Sequence, residues 1–344
     1  MIFEPKNELR YEIGDILVYS RSMSVISREE AVRLLSSDAP HTLALLEQAR
    51  VLREEHFGQT VVLHVLSNAK SGRCSEDCGF CSQSARFETG IAEYPLLSDD
   101  ELYEQARIAN EARAEKFCIV TATRGPTGAL LDRLCPSVTR IKDAFPRLKI
   151  CTSLGLLNQE SASRLRDSGV DRYNHNLESS RAFFPNIVST HRWEERVETV
   201  QLAKDHGMEA CCGGIVGLGE SDADIIDLFF SLRDLDVDSI PVNLFNPRPG
   251  TPFGNVAPLS PMKGLRVLAL ARLINPAKDI RAAGGREAVL GHLQSLALFA
   301  VNSLFTNGYL TTTGQSFSQD EEMIREVGYE IVREGEETRM KYEG

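Results

Sequence analysis

Eight short apolar runs rich in β-branched residues recur along this chain, and the segments between them carry helical patterning. The runs are TVVLHVLS (60–67), FCIVTA (117–122), LKICTSLG (148–155), DRYNHNLE (171–178), EACCGGIV (209–216), SIPVNLF (239–245), DIRAAGG (279–285) and VNSLFT (301–306). Helix boundaries are marked too: Ser98-Asp-Asp-Glu101 is a capping box ahead of ELYEQARIANEA, and Thr190 precedes HRWEERVETVQLAKDHG, which ends at a C-cap Gly207. Strands alternating with helices imply a parallel sheet covered on its outer face. Eight such repeats predict an α/β fold built on a (β/α)8 TIM-type barrel. A partial barrel of six or seven strands would use the same signals. Ser27-Arg-Glu-Glu30 is a further capping box, and LALLEQARVLREEHFG (43–58) reads as a second helix before the first strand. Residues 1–58 are therefore expected to form an N-terminal helical extension, 59–306 the barrel, and 307–344 a short C-terminal segment whose polar end is frayed or contacts a dimer partner.

A chain of 344 residues suits one such barrel with extensions. Its formal net charge of -11 argues against nucleic acid as a partner, because phosphate binding relies on a surplus of Lys and Arg. The opening MIFEPKNELRYEIGD breaks any signal-peptide core with charges, and no apolar run approaches the ~18 residues of a membrane span. The chain reads as cytoplasmic, with no membrane partner. Its eight cysteines, three of them inside CSEDCGFC (74–81), look less like a disulfide framework than like metal ligation in a reducing compartment.

Cys74, Cys78 and Cys81 form a CxxxCxxC pattern, one ligand short of the four that a structural zinc site takes. A 4Fe-4S cluster held by three thiolates instead keeps one iron open to a small molecule. The pattern directly follows the first strand, where the functional loops of a (β/α)8 barrel lie. The alternative, three buried structural cysteines, sits poorly with so polar and glycine-bearing a stretch.

With the aromatic Phe80 before its last cysteine, CSEDCGFC resembles the radical S-adenosylmethionine superfamily. There the open iron is chelated by S-adenosylmethionine, whose reductive cleavage gives a 5'-deoxyadenosyl radical. The stretch from Gly213 through Ile215, Gly217 and Gly219 to Glu220 resembles the strand-five element near the adenine in such enzymes. Taken alone, it is equally a tight strand-to-helix connection opened by Ser221. NAKSGRCSEDCGFCSQSARF, YNHNLE, CCGGIVGLGE and REAVLGHLQSLALFAVNSLFTNGYLTTTGQ extend the likeness, from about residue 25 to about 335, to the biotin synthase family. That resemblance implies a second cluster, 2Fe-2S, deep in the barrel, with Cys118, Cys151, Cys211 and Arg281 as its ligands. Arginine ligation follows from the resemblance alone, since a guanidinium is a cation with no acceptor. The rival for Arg281 is Arg286, and its plainer role is a buried cation paired with a carboxylate. Adjacent strand residues face opposite ways, so if Cys211, Gly213 and Ile215 point inward, leaving room near the clusters, Cys212 packs under the helices. Cys135, in LDRLCPSV, reads as structural.

Asn174, Asn176 and Glu178 alternate along the fourth strand and share a face, an arrangement that is costly unless something polar is bound. Parity turns His175 the other way, toward a structural role. The resemblance assigns Asn176 and Glu178 to ribose hydroxyls and substrate, Asn174 to substrate with them, Arg196 to the carboxylate of S-adenosylmethionine, and Asn243 to the ureido ring of dethiobiotin. Each residue also reads singly as a satisfied core polar group. The implied reaction makes biotin from dethiobiotin by two successive hydrogen abstractions, with sulfur drawn from the 2Fe-2S cluster, in a homodimer reduced by flavodoxin or ferredoxin. Two readings compete: a related radical enzyme performing rearrangement or metallocofactor maturation, and a zinc-bound structural protein.

Overall fold

The computed structural model describes residues 26–37 and 39–333; the opening MIFEPKNELRYEIGD and the end of the C-terminal tail lie outside the described residues. Eight parallel staves form a closed barrel, in the order β1 (Thr60–Lys70), β2 (Lys116–Thr121), β3 (Lys149–Ser153), β4 (Arg172–Asn174), the broken stave β5 (Glu209–Cys211) and β6 (Gly214–Val216), β7 (Ser239–Leu244), β8 (Asp279–Ala282) and β9 (Ser303–Thr306). The ring closes where β1 pairs with β9, Val62 beside Ser303 and Val65 beside Thr306. All eight predicted runs are staves, so the full barrel, not a partial one, is the fold.

Alternation along the staves separates two environments. Leu63, Phe117, Ile119, Ile150, Tyr173, Ile240, Ile280 and Leu304 point outward into the apolar layer under the helices. Cys212 joins that layer beside the outward residues of β5 and β7. The inward positions include His64, Cys118, Cys151, Arg172, Cys211 and Arg281, all buried. A barrel filled for stability alone carries branched apolar residues there. This interior is built for polar chemistry.

Stave five breaks for a steric reason. A Cβ on Gly213 would lie 1.9 Å from the Pro241 carbonyl oxygen on β7, so the chain passes only where it has no side chain. The predicted glycine at this position does not open space near the thiols; it permits close backbone contact between neighbouring staves.

Helices cover the outside. The N-terminal pair, α1 (Arg28–Leu35) and α2 (Ala39–Phe57), lies against α8 (Pro261–Ile274): Arg266 Nε donates to Leu35 O at 3.1 Å, and its Nη1 to Thr42 Oγ1 at 2.9 Å. Both capping boxes form, Ser27 with Glu30 and Ser98 with Glu101 at the start of α3 (Asp99–Glu111). In α6 (Trp193–Asp205) the expectation is corrected: Arg192 is the N-cap, its amide donating to Glu195 at 2.7 Å, whereas Thr190 is drawn to the acids of the cysteine loop. Gly207 follows the C-cap with φ +72°. The C-terminal segment has more structure than its polarity suggests. It forms α10 (Phe317–Glu326), and β10 (Glu330–Ile331) pairs with Thr60 and Val61 of β1.

Candidate active site

A cavity of about 410 Å³ occupies the carboxyl end of the barrel, bordered by Cys74, Cys78, Phe80, Cys81, Cys118, Cys151, Asn174, Asn176, Glu178, Arg196, Ile215, Asn243 and Arg281. All eight cysteines carry free thiols. The loop after β1 presents Cys74, Cys78 and Cys81 in a fixed fold: Cys74 N donates to Gln83 O at 3.0 Å, and Cys81 N to Cys78 O at 2.9 Å. Gly79 approaches the Phe253 ring so closely that a Cβ would sit 2.7 Å from it. The two acids between the cysteines are engaged by the segment before α6. Asp77 Oδ1 accepts from Ser189 N at 2.9 Å and Thr190 N at 3.1 Å; Glu76 accepts from Arg124 Nη1 at 2.8 Å and pairs with His191 Nδ1. Sequence reasoning passed over both acids. Burial pushes the Cys81 thiol up to about 11 and Cys78 higher still. Thiols held this way ionise when a cation compensates them, and metal binding then releases their protons. Three sulfurs at a cavity wall, with the adjacent acids committed elsewhere, fit a cluster that keeps one iron open.

Deeper in the barrel, Cys118 and Cys151 are register partners on β2 and β3. The neighbouring Cys151 thiol holds Cys118 below its ordinary value, while Cys211 is raised by Cys151 and by burial. Arg281 Nη1 lies 3.8 Å from Cys211 Sγ, and its Cζ stands 4.9 Å from the Phe305 ring centroid. Cys211 and Arg281 are each 1% exposed. Arg281 Nε is buried without a hydrogen-bond partner. Three soft sulfurs suit an iron-sulfur group, and the buried Arg281 beside them supplies a cation that offsets thiolate charge. Arg286 stands apart from the cavity wall and pairs with Asp320 at 2.7 Å.

A polar ladder connects the two cysteine groups. Asn174 Nδ2 lies 3.2 Å from Cys211 Sγ and 3.3 Å from Asn176 Oδ1. Asn176 Nδ2 donates to Glu178 Oε2 at 3.4 Å, and Arg196 Nη1 to Glu178 Oε1 at 3.4 Å. Arg196 Nε then donates to His191 Nε2 at 2.9 Å, so His191 with its proton on Nδ1 can face Glu76. Burial, with Arg196 alongside, pushes the His191 imidazole below its ordinary value, consistent with that neutral form. Burial raises the Glu178 carboxyl against the opposing pull of Arg196. Glu178 itself adopts φ +66°, unusual for a residue with a side chain.

Other predicted positions fall differently. His175 also borders the cavity, against the expectation from parity, although its amide continues the ladder by donating to Cys211 O at 3.0 Å. Gly213, Gly217 and Glu220 lie behind the cavity wall; Glu220 Oε1 accepts from Gly217 N at 2.6 Å and shapes the turn. Asn243 spans the staves beside it, its Nδ2 donating to Gly214 O at 3.1 Å and its Oδ1 accepting from Gly284 N at 2.9 Å. Cys135 is half-buried on α4 (Gly128–Ala144) and donates to Arg164 O at 3.7 Å. Beneath the deep thiols lies a charged layer of Arg172, Asp279 and their partners that no motif signalled.

A cysteine loop after the first stave of a (β/α)8 barrel defines the class of radical S-adenosylmethionine enzymes, and the Radical SAM superfamily profile matches residues 69–232. The Biotin and Thiamin Synthesis associated domain matches residues 241–330. Curated relatives narrow this further: the chain is 50% identical to the biotin synthase of Salinibacter ruber over 91% of its own length and 87% of that protein's. It is 46% identical to that of Staphylococcus haemolyticus, over 94% and 99% respectively. The chain belongs to the biotin synthase family. Solved structures share the fold at lower identity. Methylornithine synthase superposes with a TM-score of 0.82 at 19% identity over 92% of this chain and 97% of that one. An FeFe-hydrogenase maturase from Carboxydothermus hydrogenoformans gives 0.78 at 18%, over 94% and 79%. Among the described residues no helix is long and apolar enough to cross a membrane.

Proposed function

We propose that this chain converts dethiobiotin to biotin, with Cys74, Cys78 and Cys81 holding a 4Fe-4S cluster and Cys118, Cys151, Cys211 and Arg281 holding a 2Fe-2S cluster. When bound, these clusters and S-adenosylmethionine supply a carbon-centred radical that takes hydrogen from saturated carbon, and the sulfur that replaces it. The protein's task is position and water exclusion. Glu178 and Asn176 offer an acceptor and an amide to ribose hydroxyls from the middle of the ladder. Arg196 has Nε and Nη1 engaged, and among the described residues its Nη2 has no partner, which leaves that nitrogen for a carboxylate. Asn243, braced by backbone on both sides, keeps one amide hydrogen and one lone pair for a ureido group. Phe80 and Ile215 supply apolar wall. A homodimer reduced by flavodoxin or ferredoxin in the cytoplasm belongs to the same proposal.

The observation that carries this reading is the convergence of Cys118, Cys151, Cys211 and Arg281 in one buried layer below the cysteine loop. An enzyme using only the first cluster has no need of it, nor has a zinc-bound protein. The test is anaerobic purification with iron, sulfide and zinc quantified, Mössbauer spectra and biotin formation, for wild type and Cys151→Ala. Two cluster types, with only the 2Fe-2S signal and biotin formation lost in the variant, are expected. A single cluster type untouched by the substitution would overturn the assignment.

A further inference from the structure

Only part of the Arg281 guanidinium is turned toward the thiols. Nη2 donates to Ser239 Oγ at 2.8 Å and to Asp279 Oδ2 at 3.2 Å, whereas Nη1 approaches Cys211 and Nε has no partner. One face of the group rests on Phe305. A guanidinium is a rigid planar fork, so fixing one nitrogen and one face fixes the direction of the rest.

What holds Nη2 is itself held. Asp279 Oδ2 also accepts from Arg172 Nη1 at 3.0 Å and Ser239 Oγ at 2.8 Å; Oδ1 accepts from Ser303 Oγ at 2.5 Å and Asn302 Nδ2 at 3.2 Å. Arg172 is anchored in turn on Glu209 through Nε at 2.7 Å. The barrel's register makes this possible: Asp279 and Arg281 are two residues apart on β8 and share its inner face, and Ser239 is the register partner of Asp279. So many donors on one carboxylate exceed what neutralising Arg281 requires. They make it a fixed point.

We propose that Asp279 is the positioning residue of the deep site, holding Arg281 by Nη2 so that its Nη1 edge faces Cys118, Cys151 and Cys211, and setting a buried negative charge beneath a cluster held there. This rests on the assignment of those four residues to the 2Fe-2S cluster. Two effects follow. Without Asp279 the arginine loses its orientation and loading falls. Whatever cluster does load has lost a nearby negative charge, so its more negative reduced state becomes easier to reach.

The test uses the full chain, reconstituted anaerobically, as wild type, Asp279→Asn and Ser239→Ala, with both cluster types quantified by Mössbauer spectroscopy and the 2Fe-2S potential measured by optical titration. Asp279→Asn is expected to keep its 4Fe-4S content, lose at least half its 2Fe-2S, and show a more positive potential for the remainder. Wild type without 2Fe-2S would overturn the underlying assignment as well. Wild type with 2Fe-2S beside an Asp279→Asn protein of equal content and potential overturns this inference alone, as does lower content at an unchanged potential. If Asp279→Asn fails to fold, as loss of its 4Fe-4S would reveal, Ser239→Ala decides by content: it loosens Arg281 Nη2 while keeping the Asp279 charge, so a partial loss of 2Fe-2S with 4Fe-4S retained supports the proposal, and full 2Fe-2S content overturns it.

Discussion

The loop at the barrel mouth and the thiol layer at its floor gather cysteines by opposite means. Cys74, Cys78 and Cys81 are neighbours in the chain, and their loop is shaped by local backbone bonds and two acids anchored on residues 189–191. Cys118, Cys151, Cys211 and Arg281 sit on four different staves and meet only because the barrel closes. A local site pays little loop-closure entropy and tolerates change elsewhere; a distributed one inherits every error of register. The difference teaches where each site is vulnerable: the mouth to substitution in its own loop, the floor to anything that shifts a stave.

The sharpest way to break that comparison is to remove one mouth ligand. Cys78→Ala is expected to abolish the 4Fe-4S signal and lower biotin formation at least about 10³-fold, while the 2Fe-2S Mössbauer signal persists. Loss of both signals would show that the two sites do not form independently. Next comes Gly213→Ala, which forces a Cβ against the Pro241 carbonyl where stave five breaks. Overpacking against backbone costs about 3 kcal/mol, or roughly 6–12 °C in Tm for a domain of this kind. Differential scanning calorimetry measures that loss, and the deep cluster should suffer more than the mouth cluster because Cys211 lies two residues away. Glu178→Gln, in the ladder between the two regions, removes a charge-assisted bond to Arg196. At about 1.5 kcal/mol this raises the KM for S-adenosylmethionine about tenfold with a smaller change in kcat, and both clusters should remain.

The same contrast governs what the sequence discloses. CSEDCGFC is legible because its spacing carries its chemistry, and the eight staves are legible because each is a compact apolar run. Parity says only that Cys211 and Cys212 face opposite ways; the family resemblance singles out Cys118, Cys151, Cys211 and Arg281, and only closure brings them together. Asp279 and Arg172 carry no local signal: a charged residue opening an apolar run reads as a solvated strand end. His175 misleads in another way: alternation puts Asn174, Asn176 and Glu178 on the cavity as expected, yet His175 between them borders it too. Thr190 looks like a helix cap until its partners on another stave's loop are visible.

A smaller effect tests whether local capping also secures the wall behind the mouth. Asp224, in the first turn of α7 (Asp222–Asp234), accepts from Ser221 N at 3.0 Å and Ser221 Oγ at 2.6 Å, and through its other oxygen from Ser180 Oγ at 2.6 Å. It therefore joins the turn after Glu178 to the helix after Glu220. Burial pushes its carboxyl up, but the hydroxyls of Ser180 and Ser221 outweigh burial and hold it below its ordinary value. A carboxyl depressed in the folded state contributes stability that is fully present above its unfolded value of about 3.9, and that fades as pH falls through the lower folded value. Asp224→Asn should cost about 1 kcal/mol near neutrality, the scale of a lost helix cap. Thermal melts of both proteins should show a Tm gap that is level from pH 7 to about pH 5 and narrows below about pH 4. A gap independent of pH would mean that the cap acts through shape, and that the charge on Asp224 contributes nothing to the wall.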